Sequence, residues 1–136
     1  MEITVSRQQG KVPVTVVQPH GHVDASNFTN LVNEVERLMK DGAQDFLIDL
    51  SDVSYMSSAG LVALHSLAIM LRGEKPADPE SGWAALKSMD RSRESGIQKH
   101  IKLLRPQEGV AETLDKAGFT QSFEIFTDVQ KAVSSF

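Results

Sequence analysis

One short run near the middle of the chain constrains the fold more than any other feature. Residues 46–50 read Phe-Leu-Ile-Asp-Leu and show no alternation of apolar and polar side chains. A strand with one solvated face alternates, whereas a strand covered on both faces is almost continuously apolar. The run therefore predicts a central strand with other elements packed on both sides, which is the arrangement of a layered α/β domain.

Two strands are predicted before this run. Apolar and polar residues alternate over residues 2–6 and again over residues 12–17, and Gln9-Gly10 between them is a turn signal. This pattern is typical of an antiparallel hairpin. Pro13 has no N–H donor, so it predicts that the second strand lies near an edge or is bulged at that point.

The first predicted helix follows the hairpin. One apolar stripe of helical period is formed by Phe28, Leu31, Val32, Val35, Leu38 and Met39. Asp24 or Ser26 is the predicted N-cap, and Gly42 is the predicted C-terminal stop.

The second predicted helix, residues 61–71, is apolar around most of its circumference. Only His65 and Ser66 interrupt the apolar surface, and Val62 and Ile69 lie on a different side from the main stripe. Such a helix has to be covered, either by another part of the chain or by a partner.

Residues 73–99 are predicted to be an insertion. Pro and Gly punctuate the segment, its acidic and basic residues balance, and it contains the only tryptophan, Trp83, at the start of a helix-capable stretch over residues 83–89. Long connections of this kind tend to be functional. Trp83 is expected either to fold onto the core or to contact a partner.

The remaining elements complete a single predicted domain over residues 1–136. A strand is predicted at 100–104, a helix from Pro106 to Gly118, a strand at 123–126, and a C-terminal helix behind a capping box at 127–130. The predicted order is β-β-α-β-α-(insertion)-β-α-β-α. This is an α/β fold in which a mixed sheet of about five strands carries about four helices.

Composition excludes several classes of function. The 136 residues include no Cys, and 18 acidic residues against 14 basic ones give a net charge of −4. Disulfide frameworks, thiol chemistry and a large basic surface for nucleic acid are therefore not expected. No apolar run approaches the roughly 20 residues of a membrane helix, and the N-terminus does not resemble a signal peptide. A cytoplasmic protein without membrane insertion and without a cofactor is expected. A metal site is not expected either, because His20 and His22 have only Asp24 nearby as a further ligand.

The segment with the clearest chemical potential is Ser57-Ser58-Ala59-Gly60, at the predicted start of the second helix. Free backbone N–H groups and the positive end of the helix dipole favour an anion there. A phosphate on an exposed serine hydroxyl would be stabilised by both. The same residues also fit a plain helix cap, because Ser is a preferred N-cap residue. Both interpretations remain open from the residues alone.

A catalytic interpretation is less well supported. It would take Ser58 as nucleophile, His65 or His22 as base, and Asp24 or Asp49 to orient the base. His65 lies seven residues along the helix from Ser58, an axial separation of about 10 Å. The Gly-x-Ser-x-Gly pattern of a nucleophile elbow is also missing, because Met56 stands two residues before Ser58. The chain is not expected to be an enzyme.

Residues 46–61 resemble the signature of STAS domains, and among them the bacterial anti-sigma-factor antagonists. The apolar strand ends in Asp49, a short turn follows, and Ser57-Ser58-Ala59-Gly60-Leu61 is similar to the family's Asp-Ser-Ser-Gly-Leu. Gly21-His22-Val23-Asp24 and Gly118-Phe119 are weaker matches. The resemblance covers nearly the whole chain except the insertion, and it implies a STAS-type mixed sheet.

The resemblance also implies a mechanism. In the family, an unphosphorylated antagonist binds an anti-sigma factor that is also a serine kinase, phosphorylation of one Ser releases it, and a serine phosphatase resets it. Ser58 takes the phosphoacceptor position, with Ser57 as the alternative. The residues expected near the phosphoacceptor are Asp24, Asp49, Ser57 and Gly60. The residues expected to bind the partner are Val62, His65, Ser66 and Ile69. The alternative function is a non-switching STAS module that acts as a scaffold or a transporter-associated subunit.

Overall fold

The structure is a computed structural model that describes residues 1–73 and 97–136. Its strands are β1 (Glu2–Gln9), β2 (Pro13–Val23), β3 (Phe46–Asp49), β4 (Val53–Met56), β5 (Ile101–Leu104) and β6 (Ile125–Phe126). Its helices are α1 (Phe28–Lys40), α2 (Ser58–Leu71), α3 (Glu108–Lys116) and α4 (Val129–Ser134). The predicted mixed α/β architecture is confirmed.

The strands form one mixed sheet in the order β1-β2-β3-β5-β6. β1 and β2 are the predicted antiparallel hairpin, and the β2–β3, β3–β5 and β5–β6 pairs are parallel. β4 runs parallel to the last residues of β2, beyond the part of β2 that pairs with β3. Every parallel strand therefore ends toward the same edge of the sheet, which is where α/β proteins usually carry their functional residues.

One expectation about the strands is wrong. The residues after Asp49, where a short turn is predicted, contain β4, so the described part of the chain has six strands rather than five. The strand that begins at Pro13 lies near an edge, as expected, because β2 pairs with the edge strand β1. Pro13 is the first residue of β2, a position where a missing N–H costs little.

The sheet is covered on both faces, as the sequence of β3 predicts. Phe46 and Ile48 point into the larger core, which also contains buried side chains of α1, α2 and α3. Leu47 points the other way, into a smaller core shared with Ala132 and Val133 of α4. The alternation in β2 divides its valines in the same manner, with Val17 in the larger core and Val14 in the smaller one.

Three predicted helix starts shift by one or more residues. α1 begins after Asn27, not after Asp24 or Ser26, although Gly42 follows its end as expected with a left-handed φ of 104°. α3 begins at Glu108, two residues after Pro106. The cap of α4 is Asp128 rather than Thr127, because the Asp128 carboxylate accepts hydrogen bonds from the two free amides of the first turn, those of Gln130 and Lys131.

The last strand is also shorter than expected. β6 contains only Ile125 and Phe126. Phe123, predicted as part of it, is buried and stacks on Phe119 with ring centroids 5.3 Å apart. A short 3-10 turn at Phe119–Gln121, after the left-handed Gly118, makes this contact possible.

The predicted insertion at 73–99 falls mostly outside the described residues, as do Trp83 and the stretch 83–89. Near the end of the predicted insertion, Gln98 belongs to the fold. It is buried, and its backbone N–H donates a hydrogen bond to the Ser122 carbonyl at 2.8 Å. In residues 1–73 and 97–136, no helix combines the length and the apolar character needed to cross a bilayer.

Candidate functional site

The candidate site is the start of α2, at the edge of the sheet where β2 and β4 end. Val23 and Met56 are partners in the parallel β2–β4 pair. The next residue, Ser57, donates its amide to the Val23 carbonyl at 3.0 Å, and the chain then turns into α2. The sheet therefore fixes the position of the first turn of this helix.

The two serines at this turn have different structural roles. Ser57 is the N-cap, and its Oγ accepts a hydrogen bond from the Ala59 amide at 3.2 Å. Ser58 is the first residue of α2, is exposed, and has no side-chain hydrogen bond within the described parts of the chain. The sequence is compatible with either a helix cap or an exposed hydroxyl in this segment. The structure has both, with Ser57 as the cap and Ser58 as the exposed hydroxyl.

Gly60 allows α2 to begin this close to the sheet. A Cβ at this position would lie 2.5 Å from Cγ of Met56, 3.1 Å from Cγ1 of Val23 and 3.1 Å from the Val23 carbonyl oxygen. Because Val23 and Met56 are both buried, neither can move away freely. Gly60 therefore belongs to the helix start, where the sequence resemblance placed it.

Asp24 follows Val23 and lies in the turn between β2 and α1. Its Oδ1 accepts hydrogen bonds from the Ser26 hydroxyl at 2.5 Å and the Ser26 amide at 2.9 Å. These two bonds hold the pKa of the Asp24 carboxyl below its usual value, so the side chain is ionised at neutral pH. Since Val23 bonds to Ser57, Asp24 is one residue away from the strand pair that carries the helix start.

Asp49, also predicted near the phosphoacceptor, has its contacts elsewhere. Its buried carboxylate accepts the Ser51 amide at 3.0 Å and Nη2 of Arg105 at 2.8 Å. No hydrogen bond joins it to Ser58 in the residues that the structure describes. Asp49 instead ties the ends of β3 and β5 together, next to Arg105, which adopts a positive φ of 49°.

The four residues predicted to bind the partner differ in accessibility. His65, Ser66 and Ile69 are buried, and only Val62 is partly exposed. Burial disfavours the charged imidazolium and lowers the pKa of His65 to about 4, with a smaller contribution from the positive charge of Arg72. The accessible surface of the first half of α2 therefore consists of Ser58 with the partly exposed Ala59 and Val62.

Sequence reasoning missed an exposed aromatic residue beside the helix start. Tyr55 of β4 is 56% exposed, and its ring contacts the His22 ring edge to face with centroids 6.2 Å apart. The His22 Nδ1 lies 3.1 Å from the Ser54 hydroxyl. The strand-like composition of Val53-Ser54-Tyr55-Met56 is a signal for this strand, but a run of four residues is too short to predict it.

The histidines considered as metal ligands or bases have other partners. One ring nitrogen of His20 lies 2.7 Å from the Thr4 hydroxyl, and the other bonds to the Asp52 carboxylate. His22 bonds to Ser54 rather than to Ser58. Across the described ranges there is no group of three or more His, Asp or Glu side chains arranged to hold a metal ion.

Two clefts among the described residues lie at the opposite edge of the sheet from Ser58. One of about 270 Å³ is bounded by the start of β2 and residues 41–45, and one of about 400 Å³ lies between Met39, Leu71 and His100. Neither of these two clefts includes a residue of the helix start. An exposed hydroxyl outside a cleft is suited to contact with another macromolecule rather than to binding an enclosed small substrate.

The fold and the site thus define a layered α/β domain that presents one serine hydroxyl at a helix start. The family model of the STAS domain matches residues 5–75, just over half of the chain. The chain therefore belongs to the STAS-domain family, a family of regulatory rather than enzymatic domains.

Solved structures with the same fold include anti-sigma factor antagonists. One from Mycobacterium paratuberculosis has a TM-score of 0.65 and 16% identity, covering 98% of this chain and 93% of its own. SpoIIAA in its unphosphorylated form has a TM-score of 0.54 and 12% identity over 97% of this chain and 94% of its own. The phosphorylated form of the Bacillus protein SpoIIAA has a TM-score of 0.53 and 11% identity, covering 96% of this chain and 96% of its own. None of the curated protein sequences matches this chain.

Proposed function

We propose that this protein is an anti-sigma-factor antagonist controlled by phosphorylation. When unphosphorylated it binds an anti-sigma factor that is also a serine kinase. Phosphorylation of Ser58 releases that partner, and a serine phosphatase restores the binding form. The protein acts in the cytoplasm as a protein-binding switch and not as an enzyme.

The observation that carries this proposal is the division of roles between Ser57 and Ser58. The Ser57 hydroxyl is occupied by the Ala59 amide, whereas Ser58 is exposed at the first position of α2. A kinase can reach the second hydroxyl without breaking the cap of the helix. This argument selects Ser58 over Ser57 as the phosphoacceptor.

Phosphate on Ser58 would be tolerated by the fold and rejected by a partner. It adds a charge of about −1.5 to −2 at pH 7, beside the free amides at the start of α2, where the helix dipole favours an anion by about 0.3–1 kcal/mol. A partner surface fitted to a neutral hydroxyl would have to desolvate that charge. A loss of about 3 kcal/mol at the interface weakens binding on the order of 100-fold. Partner release therefore does not require unfolding.

The contact surface on α2 is limited to its first turn. Of the partner-binding residues proposed from the sequence, Val62 lies one helical turn after Ser58 and is partly exposed, so a partner covering Ser58 can also contact it. The other three residues are buried and hold α2 in its position by packing, namely His65, Ser66 and Ile69. The partner therefore contacts the start of α2 rather than its full length.

Phosphorylation can be tested directly. The protein is incubated with ATP and a candidate anti-sigma factor of the histidine-kinase-like ATPase class, and the modified residue is mapped by mass spectrometry. We expect one phosphate, on Ser58, in the wild type and in Ser57→Ala, and none in Ser58→Ala. Phosphate on Ser57 would reassign the acceptor. No phosphate on either serine would overturn the switch.

Binding separates the switch from a non-switching scaffold or transporter-associated module. Affinity for the same ATPase is measured for Ser58→Ala and Ser58→Asp by isothermal titration calorimetry. The switch requires tight binding by Ser58→Ala and binding weakened at least tenfold in Ser58→Asp, with an unfolding midpoint in Ser58→Asp that is no lower than in Ser58→Ala. Equal affinities would favour the scaffold.

A further inference from the structure

We propose that Tyr55 is an aromatic anchor for the partner that recognises Ser58, and that His22 positions its ring. This inference rests on the proposed function and names a determinant of the same interface. It assigns a binding role to β4, the strand that lies directly before the α2 cap.

Tyr55 has an unusual degree of exposure for its type. It is 56% exposed, whereas Val53 and Met56 of the same strand are buried. Aromatic rings are costly to leave in water, and Tyr is one of the residue types that dominate binding energy at protein interfaces. Ile97, at 52%, is the other large exposed hydrophobic side chain within the described residues.

The Tyr55 ring has a ring contact that favours one orientation. His22 lies opposite it in the β2–β4 pair, with the two rings at 80° to one another. His22 is itself fixed, because its Nδ1 is 3.1 Å from the Ser54 hydroxyl and its carbonyl accepts a hydrogen bond from the Asn27 amide group at 2.9 Å. A preorganised ring loses little conformational entropy when it is bound.

Tyr55 is close enough to Ser58 to be covered by the same partner. The two residues are three peptide units apart, so their Cα atoms are separated by at most about 11 Å. An ordinary interface buries about 800 Å² on each side and is roughly 30 Å across. Ile97 precedes β5 and lies at the opposite edge of the sheet from the start of α2, so it provides a matched exposed residue outside that area.

The chemistry of the anchor defines the complementary site. The partner is expected to have a recess with apolar walls for the ring and a polar group at its base for the hydroxyl. Because the Tyr55 ring adds contact area without adding charge, its contribution is independent of the phosphorylation state of Ser58. The anchor therefore sets the affinity of the complex, and the phosphate decides when the complex dissociates.

The first test measures binding to the ATPase used in the phosphorylation experiment. Tyr55→Ala is expected to weaken binding tenfold to 100-fold, and Tyr55→Phe by less than tenfold because it keeps the ring. His22→Ala is expected to have an intermediate effect. Ile97→Ala removes a side chain of similar exposure and is expected to bind as the wild type does.

The second test measures the accessibility of the Tyr55 ring directly, since Tyr55 is the only tyrosine of the chain. Nitration by tetranitromethane is followed by mass spectrometry of this chain alone and in complex. We expect protection of Tyr55 in the complex, and loss of that protection when ATP is added and Ser58 is phosphorylated. Unchanged nitration in a complex that forms normally, or equal affinities of Tyr55→Ala and Ile97→Ala, would overturn the anchor and leave the switch intact. Failure of the wild type to bind or to be phosphorylated would overturn the proposed function together with the anchor.

Discussion

At the residue scale, one hydrogen bond separates the roles of two adjacent serines. The Ser57 hydroxyl completes the first turn of α2 by accepting the Ala59 amide, and the Ser58 hydroxyl faces outward. Loss of an N-cap typically costs about 1 kcal/mol, whereas loss of an exposed hydroxyl costs almost nothing. A hydroxyl that does not hold the fold is free to be modified.

Gly60 is the residue at this site with the least room for change. Gly60→Ala places a methyl group against Met56 and Val23, and we expect the unfolding free energy to fall by about 1–3 kcal/mol in urea denaturation. Gly109 of α3 is the matched control, because a Cβ there meets nothing within 4 Å. Gly109→Ala should leave stability unchanged or raise it by up to about 1 kcal/mol. Equal effects of the two substitutions would contradict the close approach of α2 to the sheet.

His65 is expected to make stability depend on pH. Its folded pKa of about 4 lies below the ordinary value of 6.5, so between these values the unfolded chain binds the extra proton. The contribution of neutral His65 is therefore complete above pH 6.5 and is lost as the pH falls toward 4, by at most about 3 kcal/mol.

The measurement is the unfolding free energy at several pH values between 4 and 7, for wild type and His65→Gln. The variant should show a smaller slope in this range, because the carboxylates titrate in both proteins and only the imidazole is missing. Parallel curves for wild type and His65→Gln would show that this histidine is not the source of the slope.

At the element scale, α4 shows how a helix of six residues covers one face of the sheet. Its Ala132 and Val133 pack on Val14, Leu47 and Leu104. At the C-terminal end of the helix, Nζ of the buried Lys102 donates to the carbonyl of Ser135 at 3.1 Å and to its hydroxyl at 3.0 Å. A cation at the C-terminal end of a helix satisfies free carbonyls and complements the dipole.

Lys102→Met is expected to loosen α4. The substitution keeps the apolar stem but leaves the Ser135 carbonyl without its donor and removes the cation 4.8 Å from the Phe136 ring centre. We expect a loss of about 2 kcal/mol in unfolding free energy and faster amide hydrogen exchange over residues 129–134.

The control for that substitution is Lys40→Met. Lys40 pairs with Glu36 at 3.4 Å on the exposed side of α1, and such surface pairs contribute less than about 1 kcal/mol. A Lys102→Met protein with unchanged exchange in α4 would show that apolar packing alone holds the helix.

At the scale of the whole molecule, all strands and helices described lie in residues 1–73 and 97–136. We expect that replacing residues 74–96 with a Gly/Ser linker of roughly ten residues preserves the fold. The measurements are far-UV circular dichroism and urea unfolding, because the only tryptophan is removed with the segment. A replacement that extends to residue 98 should be less stable, since it removes the buried side chain of Gln98.

Partner binding by the same variants separates two roles of the segment. If the 74–96 replacement folds and binds the ATPase normally, the segment is dispensable for the switch. If it folds but binds more weakly, the segment contributes to recognition. Loss of cooperative unfolding would contradict the expectation that the described residues are sufficient for the fold.

The sequence by itself determined the elements and the residues of the helix start. The uninterrupted apolar run at 46–50, the valine alternation in β2 and the stripe of α1 are local signals, because each depends on the period of one element. The Ser57-Ser58-Ala59-Gly60 segment is also a local signal, because Ser is a preferred residue at the start of a helix. Helix starts at Asn27 and Asp128 were missed because several polar residues in a row can cap, and backbone geometry selects among them.

The tertiary structure alone decided which residues face each other. β4 exists because the end of β2 offers it free hydrogen-bonding groups, and its own four residues contain no signal strong enough to predict it. The carboxylate of Asp49 pairs with Arg105, 56 residues further along the chain, and the packing of α2 buries His65, Ser66 and Ile69. These outcomes depend on contacts between distant segments, and the energy of such contacts is fixed only when the chain has folded.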